Sequence, residues 1–152
     1  MYPLLVALFF GSLVAAYSAV QIPQQQEFEV VARANVDATN LIAYRKSVQS
    51  YFVANPTATG VISDASLTPY YLPGYIRNNN WTNLTSGGNT YVYTSAAVAS
   101  RVIDMVYKKS NKSLLIGRKN AVSGNLQSYN GFDSGIVLPA SIPNNALVIL
   151  GK

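Results

Sequence analysis

Neither cysteine nor histidine occurs among the 152 residues, and each absence closes off a branch of chemistry. Without cysteine there is no thiolate nucleophile, no disulfide scaffold and no sulfur ligand for zinc; without histidine there is no imidazole base or ligand. Charge is scarce as well: Asp, Glu, Lys and Arg make up 11% of the chain, against roughly 25% in an ordinary soluble domain. A hydrophobic share of 49% keeps the chain out of the disordered class. The length suits one small domain, with or without an anchor, and excludes a multidomain enzyme. What the chain has in plenty is tyrosine, at eleven, with ten glycines and seven prolines. That is the vocabulary of a strand-and-turn module outside the cytoplasm.

The first apolar run, PLLVALFFGSLVAAYSAV from Pro3 to Val20, carries no charge. As a helix it would be about 27 Å long, close to the roughly 30 Å of a bilayer's hydrocarbon core. A cleaved export signal calls for positive charge ahead of the apolar run and small residues at the cut. No Lys or Arg precedes Arg33, and a cut after Ala19 would put Tyr17 where a small side chain is wanted. The expectation is therefore an uncleaved transmembrane anchor over 1–22, with a processed, secreted form as the alternative. The lack of early basic residues favours export of the remaining chain, giving a single-pass protein with a cytoplasmic amino end and a periplasmic or extracellular body.

QIPQQQ, Gln21 to Gln26, reads as a polar joint at which Pro23 bends or restarts the helix. A stalk and packing helix then occupies 23–55, its apolar stripe placed on Phe28, Val31, Asn35, Ala38, Ile42, Arg45, Gln49 and Phe52. Leu41, Tyr44, Val48 and Tyr51 widen that stripe. Pro56 ends the helix by pushing Asn55 out of helical dihedrals. Residues 56–152 read as an α+β head whose core includes the end of this helix. Ser63 to Leu67 is one capped turn, TYVYT at 90–94 a strand, and Ser95 to Ser110 a helix with Ser95 as its N-cap. Leu114 to Ile116 and Leu126 to Tyr129 form a hairpin, and Gly135 to Leu138 and Ala146 to Leu150 are buried strands. The expected fold class is α+β: a transmembrane helix and a long amphipathic helix packed on a small, mainly antiparallel sheet of four or five strands, with a second short helix, a pilin-like lollipop.

Candidate chemistry is thin. The six carboxylates are scattered, no Ser stands three residues before a Lys, no calcium-loop spacing occurs and no phosphate-binding glycine loop is present. No catalytic residue, metal or cofactor is expected, and the reading is not an enzyme. Charge is the one sharp feature. Arg101, Lys108, Lys109, Lys112, Arg118 and Lys119 face only Asp104 in their stretch, which holds the whole formal surplus of +5. They are candidate partner contacts, or else a solvated helix end and hairpin. The aromatic segment Tyr70 to Trp81 supplies Tyr70, Tyr71, Tyr75 and Trp81, either as a lid over the core or as a second contact surface. No nucleic acid is expected, because no aromatic-interleaved basic motif is present.

The apolar run resembles the PilM proteins of type IVB, thin-pilus operons of enterobacterial conjugative plasmids when taken with four further segments. These are NLIAYRKSVQSYFVANP (Asn40 to Pro56), TGVISDASL (Thr59 to Leu67), GGNTYVYTS (Gly87 to Ser95) and SGIVLPASIPNNALVILGK (Ser134 to Lys152). The resemblance runs nearly end to end. It implies a non-enzymatic inner-membrane component of pilus biogenesis that supports conjugation through protein–protein contacts with other assembly proteins or pilins, an oligomer being possible. The alternative is a minor pilin or adhesin-like pilus subunit. Against that alternative, pilin precursors have a short basic leader and a glutamate early in the span, whereas here no charge precedes Glu27.

Overall fold

The computed structural model describes residues 2–151, and the side chains of 4, 15–16 and 18–23 lie outside the description. The chain divides into two compact units, Met1–Arg33 and Ala34–Lys152. Helix α1 is assigned over Tyr2–Ala54. It runs through the expected joint at 21–26 without a break, because a proline removes only one backbone N–H and no second breaker stands beside Pro23. Among the described residues no helix is long and apolar enough to cross a membrane. The anchor expected over 3–20 includes Leu4, Ala15, Ala16 and 18–20, whose side chains are outside the described residues.

In the second unit the buried ridge of α1 is Ala34, Ala38, Leu41, Tyr44, Val48 and Phe52, with Ser47 beside it. This corrects the expected stripe: Phe28 and Asn35 are exposed and Ile42, Arg45 and Gln49 only half-buried. Both series step by three and four, so spacing alone permits either. Leu41, Tyr44 and Val48 bring more apolar area than Ile42, Arg45 and Gln49, and each such side chain fully buried contributes about 1.5–3 kcal/mol.

After α1 come a capped turn, α2 (Asp64–Leu67), and a 3-10 turn over Thr68–Tyr70. The Ser63 hydroxyl accepts from the Ser66 amide at 3.3 Å and so caps α2. Strands β1 (Trp81–Ser86) and β2 (Asn89–Thr94) form a hairpin across Gly87-Gly88. Both glycines sit at positive φ, 58° and 76°, as a two-residue hairpin turn needs. Then come α3 (Ser100–Lys109), β3 (Ile116–Lys119), β4 (Asn125–Ser128), β5 (Asp133–Val137) and β6 (Leu147–Gly151). The six strands make one antiparallel sheet in the order β1-β2-β6-β3-β4-β5. That is more than the four or five expected, because β1 turns Asn83 and Thr85 inward and so carries no apolar alternation.

Helix α3 begins five residues after the expected Ser95. Ser95 is engaged elsewhere: its amide and its hydroxyl both donate to the Asn80 carbonyl, at 2.8 and 3.3 Å, and extend the hairpin. The helix ends in a Schellman motif, with Lys112 N–H bonded to Tyr107 O at 2.9 Å and Asn111 N–H to Lys108 O at 3.3 Å. Asn111 takes the left-handed conformation, φ 52°, that this motif requires.

The sheet is packed on both faces. Leu41, Tyr44 and Val48 of α1 and Val102, Ile103 and Val106 of α3 meet Trp81, Val92, Ile116, Leu147 and Ile149 on one face. On the other, Tyr91, Tyr93, Leu126, Val148 and Leu150 lie under Leu138, Ile142 and Ala146 of the loop between β5 and β6. Strand β6 is buried along its whole length, which is why it reads as an unbroken apolar run.

Candidate functional site

Two regions gather the side chains singled out in the sequence. The first is the 70–81 segment against α1. Asn40 is its hub: its Oδ1 accepts from Trp81 Nε1 at 2.8 Å, from the Tyr75 hydroxyl at 3.0 Å and from the Asn78 amide at 3.4 Å, while its Nδ2 donates to Ile76 O at 2.8 Å. One turn along α1, the Tyr44 hydroxyl accepts from Asn83 Nδ2 at 2.7 Å. Asn83 also bonds both the amide and the carbonyl of Ile62, at 2.7 and 2.9 Å. Arg77 pairs with Asp64 at 2.9 Å, donates to Trp81 O at 3.2 Å and lies 5.8 Å from the centre of the Tyr44 ring. Tyr71 donates to Asp64 at 3.1 Å, and Tyr70 meets Tyr51 edge-on at 5.5 Å. Burial pushes the Tyr71 and Tyr75 hydroxyls above their ordinary range, with the Asp64 carboxylate adding to the effect at Tyr71.

These bonds close the region on itself. Trp81 is buried and Tyr70, Tyr71 and Tyr75 are half-buried, the arrangement of a lid pinned to the helix. Trp81 therefore leaves the set of candidate surface contacts. Sequence reasoning did not single out Asn40 or Asn83 as hubs, since a polar side chain in a helix or strand carries no mark of what will reach it.

The second region is a cleft between α3 and the β3–β4 hairpin, with a volume of about 340 Å³. Ser100 and Ile103 line it from α3, Gly117 and Arg118 from β3, and Gln127, Ser128, Tyr129 and Gly131 from β4 and the turn after it. Gly117 is forced to be glycine, because a Cβ there would run into the Gln127 carbonyl oxygen. The hydroxyl of Tyr129, a lining residue, donates to Asp104 at 3.1 Å, and Asp104 also pairs with Lys108 at 2.8 Å. The Tyr129 ring stacks on Tyr107 with centroids 4.7 Å apart. Bonding to Lys108 holds the Asp104 carboxyl below its ordinary range, helped by Tyr129 and the positive charge of Arg101. The same bond to Asp104 pushes the Tyr129 hydroxyl up.

The cationic cluster read from the sequence is thus divided. Arg118 lines the cleft, Lys108 and Arg101 act on Asp104 outside the lining, and Lys109 and Lys112 are exposed at the C-terminal end of α3, also outside it. Lys119 leaves the surface altogether. It lies on the opposite face of the sheet, 6% exposed, with its ammonium donating to the carbonyls of Ile142 at 2.8 Å, Pro139 at 3.0 Å and Ala140 at 3.5 Å. The alternation of β3 dictates this, since Arg118 and Lys119 are neighbours and must point to opposite faces. Among the described residues no group of three or more acidic side chains is placed to hold a metal.

A family model described as PilM matches residues 9–150 of the chain. Among solved structures, a PilM protein of Escherichia coli B7A is similar over 79% of this chain and 92% of its own, at 23% identity and a TM-score of 0.61. A PilM protein of Pseudomonas aeruginosa 2192 is similar over 78% of this chain and 95% of its own, at 25% identity and a TM-score of 0.43. The first of these likenesses bears on the fold. No curated protein matches the chain.

Proposed function

Because the chain belongs to the PilM family, we propose that it is a non-enzymatic, inner-membrane component of a type IVB pilus assembly machine that supports plasmid conjugation. In this reading residues 3–20 lodge in the bilayer, the Ala34–Lys152 unit works in the periplasm, and the work is contact with other pilus subunits. The family membership carries the pilus role. The anchor is supported by the described side chains of the first helical turns: Leu5, Val6, Leu8, Phe9, Phe10, Leu13, Val14 and Tyr17 are all exposed. Consecutive apolar side chains exposed all round a helix need a non-aqueous surrounding, and a helix bonds its own backbone wherever water is missing. The non-enzymatic part is supported by the absence of His and Cys and by the scatter of the acids.

Two measurements test this. Cells carrying the whole pilus system should keep the protein in the membrane pellet after alkaline carbonate extraction, and removal of its gene should abolish pilus assembly and transfer. Release by carbonate, or pilus assembly that proceeds without the gene, overturns the reading. The same exposed apolar helix also supports a second reading, a minor pilin whose first helix packs inside a filament. Amino-terminal sequencing decides between the two: a start at Met1 fits the anchor, and a start near Val20 in sheared pili fits the pilin.

A further inference from the structure

We propose that the cleft between α3 and the β3–β4 hairpin is a docking site for an extended, acidic peptide segment of a partner protein, whose carboxylate pairs with Arg118. Three observations carry this, and the proposal rests on the reading that the protein acts by contact. The first is an imbalance of charge. Arg118 is the one charged residue in the cleft lining, and among the described residues it forms no ion pair with a carboxylate, while Lys108 is paired with Asp104. Its guanidinium offers a planar fork of donors that matches a carboxylate in two parallel bonds.

The second observation is Asp104 itself, which shows the chemistry this surface accepts. Its two oxygens are held by a cation and a phenol, Lys108 Nζ at 2.8 Å and the Tyr129 hydroxyl at 3.1 Å. An incoming acidic residue would find the same pair of partners, so the internal carboxylate competes with it. The third is shape. A concavity of about 340 Å³, walled on one side by the Tyr129 ring that stacks on Tyr107 behind it, admits a side chain and a stretch of backbone, whereas a flat anionic membrane cannot enter it.

The test uses the full chain in nanodiscs of zwitterionic lipid and a short fluorescein-labelled peptide alternating Glu and Ser, read by fluorescence anisotropy. Arg118→Glu should weaken binding about tenfold or more, equivalent to ~1.4 kcal/mol. Lys109→Glu makes the same change in net charge outside the cleft and should alter binding less than about twofold, as expected of a charge screened by solvent. Asp104→Asn should tighten binding several-fold by releasing Lys108 and Tyr129. A peptide with Gln in place of Glu should not bind. Equal weakening by Arg118→Glu and Lys109→Glu, equal binding of the Gln peptide, or Arg118-dependent capture of phosphatidylglycerol vesicles would each overturn the proposal. Thermal unfolding of each variant establishes that it is folded. Since the assay uses purified protein, its failure leaves the pilus role standing, and loss of the pilus role leaves the peptide site standing.

Discussion

The Asn40 hub and the α3 cleft both gather Tyr, Arg and Asp side chains and put them to opposite use. Around Asn40 almost every donor meets an acceptor inside the molecule: Trp81, Tyr75 and Asn78 converge on one amide oxygen, and Asn83 satisfies both polar groups of Ile62. At the cleft, Arg118 lines the wall with no described carboxylate paired to it, and the Asp104 oxygens are held by Lys108 and Tyr129. A closed network of this kind stabilises and rigidifies, because breaking any bond leaves a desolvated group unpaired. An open one adds little to stability and leaves charge for another molecule. The difference separates the aromatic lid from the contact surface, which residue types alone do not.

Substitutions should separate the two regions by where their cost falls. Trp81→Ala removes a buried indole and one of the three donors to the Asn40 amide oxygen, so unfolding in urea should show a loss of about 3–5 kcal/mol; a loss under about 1 kcal/mol would show that the lid is not part of the core. Lys119→Met leaves the carbonyls of Pro139 and Ile142 without their cation and should cost about 1.5–3 kcal/mol, seen as a lower thermal midpoint and faster proteolysis in 138–146. Asn83→Ala strips Tyr44 and Ile62 of partners and should cost about 1–3 kcal/mol. Arg118→Glu should change stability by less than about 0.5 kcal/mol, as a surface substitution does. A large loss there would erase the distinction between closed and open regions.

Acid offers the finest probe. Bonding to Lys108 holds Asp104 below its ordinary range, and the Gly135 amide, with Asn125 and Ser123, does the same for Asp133. A carboxyl whose folded value is depressed stabilises the fold fully above the unfolded value of about 3.9 and loses that contribution as pH falls through the folded value. The thermal midpoint should therefore be nearly flat between about pH 5 and 7 and fall below about pH 4. Asp104→Asn should remove part of that fall, and an unchanged acid limb would show that the bonds to Asp104 do not persist in solution.

Much of the head was legible in period and punctuation. β2, β6, the Ser63 cap and the turn between β3 and β4 follow from alternation, apolar runs and turn residues. But β3 lies at Ile116–Lys119 with Leu114 and Leu115 of the expected strand exposed, and β5, expected to be buried, is an edge strand of exposed and half-buried residues. β1 was hidden because its inward positions are Trp81, Asn83 and Thr85 while Leu84 points to the opposite cluster. Polar residues face inward there since Ile62, Tyr44 and Gly60 supply their partners, and nothing local announces that. The stripe on α1 was displaced for a related reason: two adjacent series share one spacing, and the neighbours choose between them. Of the candidate contacts, Lys119 and Trp81 went inward because the 139–142 carbonyls and the Asn40 amide come to meet them.

By itself, the amino-acid sequence determined what this protein lacks, where its apolar run and turns fall, and that its surplus positive charge is confined between Arg101 and Lys119. The tertiary structure decided which of those cations reach water. A strand turns successive side chains to opposite faces, and burial depends on what distant segments bring to each face, so Arg118 opens onto a cleft while Lys119 is held by the loop from Pro139 to Ile142.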